Sequence, residues 1–403
     1  MSGMIKVYKS TDAFAKKITG QAGSLIAVLD DVLVLGYGSV QVNTVTKTDN
    51  IATIATASAH GLNEGDICKI SGADQSNYNG EFKVHILSTT TFTIPIPNEA
   101  PSAVTGTISC VKAPLGFTKA FAGTNKAAYR ANDVNSNRFY LRVVDVASGT
   151  RGGGEAALSM YEVMTSVDTG DLQVPSTAKM PTTYVLAKST VSDTSIRHWM
   201  IIGDSKRFYM FVYVNPGDTL SGANNISNMI FGDVVSNNSN DAWATVLGAH
   251  PTTIPTNFSL YNPMFGSCAI PYSPVVNFSN YASYPSMIFM RDFNGAKGGR
   301  LAQCMGCGLT GASSTLGNVT AIYYPNSVDG GLYLIPVILM QSEPVSVRGR
   351  LPGVYDNLHG RCMGHMDIID NVDGFPGRSF MMVYGNNLAI SGSIIIDITG
   401  PWE

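Results

Sequence analysis

Residues 66–72 read DICKISG, a run in which successive side chains would point to opposite faces of a sheet and which ends at a turn glycine. The region around it has the same texture, and Asn79-Gly80 is a dipeptide typical of tight hairpin turns. Four further runs of this kind lie nearby: Asn50–Ala57, Gly80–Leu87, Thr91–Pro95 and Thr105–Val111. These five short runs within residues 43–112 predict a small β-sandwich or barrel module.

The chain on either side of this module is also predicted to be mostly strand. His198–Ile202 and Arg207–Val214 flank a short connection, as expected of a hairpin. Two segments, Gly20–Tyr37 and Glu155–Val167, have apolar residues at helical spacing and predict helices. Further strands are predicted at Arg138–Val146, Gly266–Ile270, Ser286–Arg291, Gly331–Met340, Ser379–Val383 and Ser393–Ile398.

We therefore expect a mostly β protein with a few helices, of the α+β class. Residues 1–42 and 113–403 would form a β-rich main domain, and residues 43–112 would be the small module inserted in it. A subdivision of the main domain near residues 170–200 stays open.

Charged side chains are scarce in this sequence. Asp, Glu, Lys and Arg make up 14% of the 403 residues, against roughly 25% in an average soluble protein. So few charges favour a subunit that covers its surface with copies of itself or with other subunits, although a slightly apolar secreted β protein would look similar. The net charge of −3 and the scattered basic residues argue against a nucleic-acid partner, which requires a concentrated basic surface.

The sequence predicts neither a secretory signal nor a membrane span. The first fourteen residues contain no apolar core of the kind that a signal peptide needs. The longest apolar stretch, Leu332–Met340, contains Pro336 and is too short to cross a bilayer. We expect synthesis in the cytosol, where the six cysteines begin in the reduced state.

Several short motifs in the module resemble a small Ig-like or barrel module that recurs in phage virion proteins. They are residues 60–62 (HGL), 65–66 (GD), 70–72 (ISG), 78–80 (YNG) and 91–93 (TFT). In such a fold the glycines allow turns, Leu62 and Phe92 fill the core, and Tyr78 closes a loop by packing and a hydroxyl hydrogen bond. His60 has two interpretations, a ligand or base and a turn histidine bonded to backbone, and we expect the second.

Segments outside the module resemble phage proteins too. They are residues 123–127 (GTNKA), 140–145 (YLRVVD), 164–170 (MTSVDTG), 350–355 (RLPGVY) and 397–402 (DITGPW). Together they resemble a family of uncharacterised tail-associated structural proteins in the virions of tailed bacteriophages and prophages. The resemblance extends over most of the chain.

This resemblance implies a virion structural subunit at the tail tip or baseplate, made in the host cytoplasm. It would act by self-association into a symmetric homo-oligomer and by binding other virion structural proteins, and not as an enzyme. A head-decoration or head-to-tail joining protein is one alternative. Another is a receptor- or carbohydrate-binding tail protein that contacts a host-surface glycan. This second alternative predicts an exposed aromatic platform, with Tyr281, Tyr284, Tyr323 and Tyr324 as candidates.

We expect no cofactor, but one group of residues has the composition of a metal site. Cys304 and Cys307 have the two-residue gap of a zinc knuckle, and Cys362 and His365 follow at a spacing of three, with His359 close by. Cys304, Cys307, Cys362 and His365 would supply four ligands for zinc. The alternative is that these cysteines simply pack in an apolar interior, since more than fifty residues separate the two pairs.

Cys68 and Cys110 lie on predicted strands near the two ends of the module. A disulfide between them is conceivable if the strands are neighbours. Cytosolic synthesis favours buried free thiols instead. Cys268 is expected to be a core residue.

Two enzyme-like patterns have simpler explanations. Gly203-Asp204-Ser205 with Asp356 and His359 resembles the nucleophile and partner spacing of SGNH-type hydrolases, but the serine lies between two strands, with no helix after it. The carboxylates Asp367, Asp370 and Asp373 would suit a glycosidase only within an aromatic cleft, and we expect a solvated loop.

Overall fold

The computed structural model describes residues 3–147, 153–176, 184–220, 226–251, 287–305, 325–342, 344–357, 364–370, 372, 374–384 and 393–402. Strands dominate this part of the chain, and helix within it is limited to one stretch near the N-terminus and one 3₁₀ turn. The prediction of a mostly β protein is confirmed.

The N-terminal segment contains one strand and one buried helix. β1 (Lys6–Lys9) precedes α1 (Ser24–Leu29), which continues as a π-helical stretch over Asp30–Leu35. The helix predicted over Gly20–Tyr37 is therefore confirmed in position but is shorter, because Gly36 turns the chain with a φ of 75°. Its apolar side chains at helical spacing are fully buried: Leu25, Val28, Leu29, Val32 and Leu33.

Seven antiparallel strands form the module, with a 3₁₀ turn at Ser76–Tyr78. They are β2 (Tyr37–Thr48), β3 (Ile51–Thr56), β4 (Ile67–Ala73), β5 (Gly80–Lys83), β6 (His85–Ser88), β7 (Thr91–Pro95) and β8 (Gly106–Lys112). Their order is β5-β4-β8-β2-β3-β7-β6, so the long strand β2 belongs to both halves of the sheet. The two halves enclose one apolar cluster that includes Ile54, Ile70 and Phe92.

Two details of the module differ from the sequence prediction. β2 begins directly after the helical stretch and was not predicted. The predicted run Gly80–Leu87 divides at Val84, whose backbone bonds with Gly65 and Asp66 instead of a neighbouring strand. The division of the chain into a main domain and an inserted domain at residues 43–112 stays a prediction.

The remaining strands belong to two larger sheets and one small ribbon. The first group is β9 (Phe117–Gly123), β10 (Lys126–Ala131), β11 (Tyr140–Val146), β12 (Glu155–Tyr161), β13 (Val163–Ser166), β14 (Thr169–Asp171) and β15 (Tyr184–Ala187). The second group is β16 (Trp199–Gly203), β17 (Arg207–Tyr213), β18 (Ile226–Asp233), β19 (Val235–Ser236), β20 (Thr245–Gly248), β21 (His250–Pro251) and β22 (Met287–Phe289). The third group is β23 (Arg300–Met305), β24 (Leu334–Gln341), β25 (Ser346–Asn357), β26 (Ile368–Asp370), β27 (Ser379–Tyr384) and β28 (Ser393–Asp397).

The helix predicted at Glu155–Val167 is wrong. These residues form β12 and β13, and β12 pairs with β11 on one side and β15 on the other. Because β12 is buried on both faces, its apolar side chains do not alternate with polar ones, and the sequence pattern resembled a helix. Pairing on both sides outweighs the helix propensity of its alanines, leucine and methionine.

Two sheets pack face to face in the main body. Six strands are ordered β21-β15-β12-β11-β10-β9, and thirteen strands form the larger sheet, in the order β1-β16-β17-β18-β20-β22-β23-β24-β25-β28-β27-β26 with β19 attached to β25. One face of the larger sheet packs on the six-stranded sheet and α1. The predicted hairpin at 198–214 is confirmed as β16 and β17, whereas the strand predicted at Gly266–Ile270 lies outside the described residues.

The larger sheet curls until its opposite ends approach each other. Its second face encloses an apolar cluster built from both halves of the strand order. Tyr209 on β17 donates a hydrogen bond to the carbonyl of Pro352 (2.8 Å), and its ring lies 5.2 Å from that of Trp402. The sheet is consequently close to a barrel in shape, and β1 and β26 lie at its two ends.

Candidate functional site

A cleft lies where the module, the N-terminal strand and the C-terminal strands meet. Its cavity has a volume of about 570 Å³. One wall comes from Ile5–Lys9, a second from Asn63–Ile67 of the module, and a third from Ile368 and Asp370 on β26 together with residues of β27. A concave site of this size, lined by several elements, is the usual form of a binding site.

A buried lysine with two carboxylates lies at the back of this cleft. The Lys112 Nζ atom lies 2.7 Å from Asp12 Oδ2 and 2.9 Å from Asp66 Oδ1, and the lysine side chain is only 5% exposed. The Tyr37 hydroxyl donates to Asp12 Oδ2 (2.7 Å), and the Tyr8 ring lies 5.6 Å from the ammonium group. Lys112 and Asp66 belong to the module, whereas Asp12 follows β1, so the network joins the two.

A second lysine links the same two parts of the molecule. Lys6 on β1 donates from Nζ to Glu81 of β5 (2.8 Å) and to the carbonyl of Pro114 (2.5 Å). Tyr8 also donates from its hydroxyl to the carbonyl of Ala113 (2.6 Å). β1 is therefore fastened to both ends of the module by hydrogen bonds that water does not reach.

Burial governs the protonation of this network. It raises the pKa of Asp66 above its ordinary value, although the nearby Lys112 ammonium works in the opposite direction. Burial likewise lowers the pKa of Lys6 and raises that of Tyr37. Because the charges are neutralised by one another and their oxygens are occupied, the network suits holding the module in place better than acid–base catalysis.

The two described residues of the predicted zinc site lie in apolar surroundings. Cys304 on β23 is buried in the second apolar cluster, and His365 Nε2 lies 2.6 Å from the Tyr213 hydroxyl. Burial lowers the pKa of His365 to about 4. Cys307 and Cys362 lie outside the described residues, so the four-ligand site stays a prediction. Within the described ranges, no three His, Cys, Asp or Glu side chains are grouped to hold a metal ion.

Cys68 and Cys110 are buried free thiols in the core of the module. They lie on the paired strands β4 and β8, as their predicted positions suggested, but in offset register. Burial raises the pKa of both thiols, that of Cys110 to about 11. The expectation of free thiols is confirmed for this pair, and Cys268 lies outside the described residues.

The module residues expected to be mechanical have that role. His60 accepts a hydrogen bond from the N–H of Leu62 at Nδ1 (3.0 Å), so its Nε2 donates to the carbonyl of Ser88 (2.9 Å). The Tyr78 hydroxyl donates to the carbonyl of Pro101 (2.6 Å), and Phe92 is fully buried. His60 is thus a turn histidine bonded to backbone, as expected.

The hydrolase-like serine serves a turn. Ser205 donates from Oγ to Asp133 Oδ2 (2.6 Å), and Asp204 accepts from the N–H groups of Lys206 and Arg207 between β16 and β17. Its suggested partner His359 lies outside the described residues. So do Asp373 and the four platform candidates Tyr281, Tyr284, Tyr323 and Tyr324.

Sequence reasoning missed Asp12 and Lys112, which are central to the cleft. Lys112 closes a strand that was predicted, but its partner Asp12 lies one hundred residues away in sequence. No local pattern connects such positions. A lysine on an otherwise half-buried module strand was the only available signal.

No helix in the described ranges is long and apolar enough to cross a membrane. No family model matches the chain, and no curated protein matches it in sequence.

Proposed function

We propose that this chain is a structural subunit of a tailed-phage virion, located at the tail tip or baseplate. It acts by self-association and by binding neighbouring virion proteins, and the proposal includes no catalytic step. The resemblance of the module motifs and of the flanking segments to phage proteins supports the setting. The low proportion of charged residues supports a surface that is largely covered in an assembly.

The observation that carries a mechanical role is the buried junction between the module and β1. Two lysines, Lys6 and Lys112, are hydrogen-bonded across it and neutralised by carboxylates. A module held in this way keeps a fixed orientation, because moving it would expose unpaired buried charges. A fixed orientation is what a subunit needs in order to position its neighbours within a particle.

The test is to locate the chain in particles of the phage that encodes it. Tails and heads are separated from purified virions, and the chain is quantified in each fraction by mass spectrometry. We expect it in the tail fraction at a constant copy number per particle, with antibody labelling at the tail end in electron micrographs. Recovery with heads favours the head-decoration or joining alternative. Absence from particles overturns the proposal.

The receptor-binding alternative makes a separate prediction. The isolated chain would adsorb to host cells or to purified host-surface glycan. We expect no saturable adsorption, and saturable adsorption that free glycan displaces would replace the proposal with this alternative.

A further inference from the structure

The cleft is bounded by two strands that each have a strand neighbour on one side only. Among the described strands, β1 pairs with β16 alone and β26 pairs with β27 alone. Both strands line the same cavity, although they are the first and last members of a thirteen-stranded sheet. The second edge of each strand therefore carries backbone groups that no strand neighbour satisfies.

The hydrogen-bond register identifies these groups on β1. The N–H of Ser10 donates to the carbonyl of Trp199 (2.9 Å), which makes those residues a hydrogen-bonded pair. Bonded and non-bonded pairs alternate along an antiparallel ladder. Tyr8 and Ile201 are consequently the next bonded pair, and the N–H and C=O of Val7 point away from β16.

The same argument applies to β26. The N–H of Met382 donates to the carbonyl of Asp367 (3.0 Å), so Ile369 and Phe380 form the next bonded pair. The backbone groups of Ile368 and Asp370 then point away from β27. Ile368, Asp370 and Val7 all line the cavity.

We propose that this cleft binds an extended segment of a different polypeptide, which adds as a strand along β1 or β26 and completes the barrel. Strand addition would satisfy the outward N–H and C=O groups, which are costly to leave unpaired once covered. The inference deepens the proposed function, and rests on it only for the identity of the partner as a neighbouring virion subunit.

The side chains around the cavity define the chemistry of the segment. Val7, Ile368 and Ile398 offer apolar contacts, and Thr11 and Ser379 offer polar ones. A strand in which apolar and polar residues alternate matches such a lining. Every strand in the described ranges already pairs within the molecule, so we assign the occupant to another protein and not to a second copy.

The experiment uses a fluorescent pool of ten-residue peptides in which Val, Ile, Leu or Phe alternate with Ser, Thr, Lys or Glu. A peptide retained by the full chain is synthesised singly, and its affinity is measured by fluorescence anisotropy. Val7→Pro removes the outward N–H but keeps the inward bonds of β1, whereas Val7→Ala keeps both. We expect Val7→Pro to weaken binding at least tenfold and Val7→Ala to weaken it less than threefold. Ile368→Pro and Ile368→Ala test the opposite edge in the same way.

A peptide methylated at alternate backbone nitrogens should lose binding, because it cannot donate to the edge. Circular dichroism and thermal unfolding identify any variant that does not fold, and the other edge then supplies the test. The inference is overturned if no peptide is retained, or if binding is unaffected by methylation and by both proline variants. It is also overturned if the full chain dimerises through this cleft, with Val7→Pro abolishing the dimer. None of these results bears on whether the chain is found in phage tails, so the two proposals fail independently.

Discussion

Buried ionic groups give the sharpest test of the junction at the residue scale. Lys112 lies between two carboxylates with little exposure, whereas Lys126 pairs with Asp168 at the surface, where their side chains are 35% and 51% exposed. Removing one member of a buried pair leaves an uncompensated charge, which costs about 3–5 kcal/mol, whereas exposed pairs contribute about 0–1 kcal/mol. We expect Lys112→Met to lower the free energy of unfolding by the larger amount and Lys126→Met by the smaller. Urea unfolding of both variants measures the difference, and similar losses would show that the junction does not stabilise the fold.

A second residue gives a prediction about pH. Burial raises the pKa of Asp233, which accepts hydrogen bonds from Thr245 Oγ1 (2.6 Å) and from the N–H of Asn137 (2.9 Å). A raised pKa means that the folded state holds its proton to higher pH than the unfolded state. The contribution of Asp233 is therefore full below pH of about 4 and declines as the pH rises through the folded pKa. Relative to Asp233→Asn, the wild-type chain should lose stability between pH 4 and 7. Parallel unfolding curves for the two proteins across that range would contradict the assignment.

At the scale of single elements, the short helix α1 depends on a carboxylate from a neighbouring strand. Asp145 on β11 accepts hydrogen bonds from the N–H groups of Leu25 (2.9 Å) and Ile26 (3.4 Å) and forms an ion pair with Lys188. Both charged side chains are fully buried. The pair therefore fixes the start of the helix against the six-stranded sheet.

A double-mutant cycle measures this coupling. Asp145→Ala leaves Lys188 buried and uncompensated, so we expect its cost to fall when Lys188→Met is added. The interaction energy should be about 1–3 kcal/mol. The control cycle is Asp30→Ala with Lys119→Met, a pair that also joins the helical stretch to the sheet but is 24% and 28% exposed. Its interaction energy should stay below about 1 kcal/mol, and equal values in the two cycles would refute the distinction.

Turn glycines in the module allow a matched comparison of backbone and space. Gly72 and Gly217 have φ values of 88° and 84°, so alanine is strained at either. A Cβ at Gly72 would lie 2.1 Å from the carbonyl oxygen of Thr107, whereas nothing lies within 4 Å at Gly217. We expect Gly72→Ala to cost about 1–3 kcal/mol more than Gly217→Ala in thermal or urea unfolding. Equal costs would mean that β4 and β8 move apart freely at this point.

The elements that the sequence predicted well are those with local signals. The strands near Thr91–Pro95 and Arg207–Tyr213 are bounded by turn residues, and their patterns survive in the structure. β12 was mistaken for a helix because a strand buried on both faces has no alternation to detect. β2 was missed because it follows a helical stretch without a break longer than Gly36.

At the scale of the whole molecule, the cleft is a product of long-range pairing. It exists because the larger sheet curls until β1 and β26 line one cavity, and because the module is fastened beside them. Asp12 and Lys112 meet there across one hundred residues of sequence. Composition and turn chemistry predict the fold class, but they contain no information about which distant edges approach each other.

The scarcity of charge leads to a prediction about assembly. If the chain self-associates as proposed, its interface is formed mainly by apolar and neutral polar groups, since only 14% of residues carry charge. Such contacts are screened little by salt, unlike steering or pairing by surface charges. Sedimentation velocity at micromolar concentration should therefore find a homo-oligomer whose dissociation constant changes less than about threefold between 50 mM and 500 mM salt. A monomer at every concentration would remove self-association from the proposal, leaving binding to other subunits. An oligomer that dissociates at high salt would instead require an interface formed by the few charged side chains, and the argument from composition would be wrong.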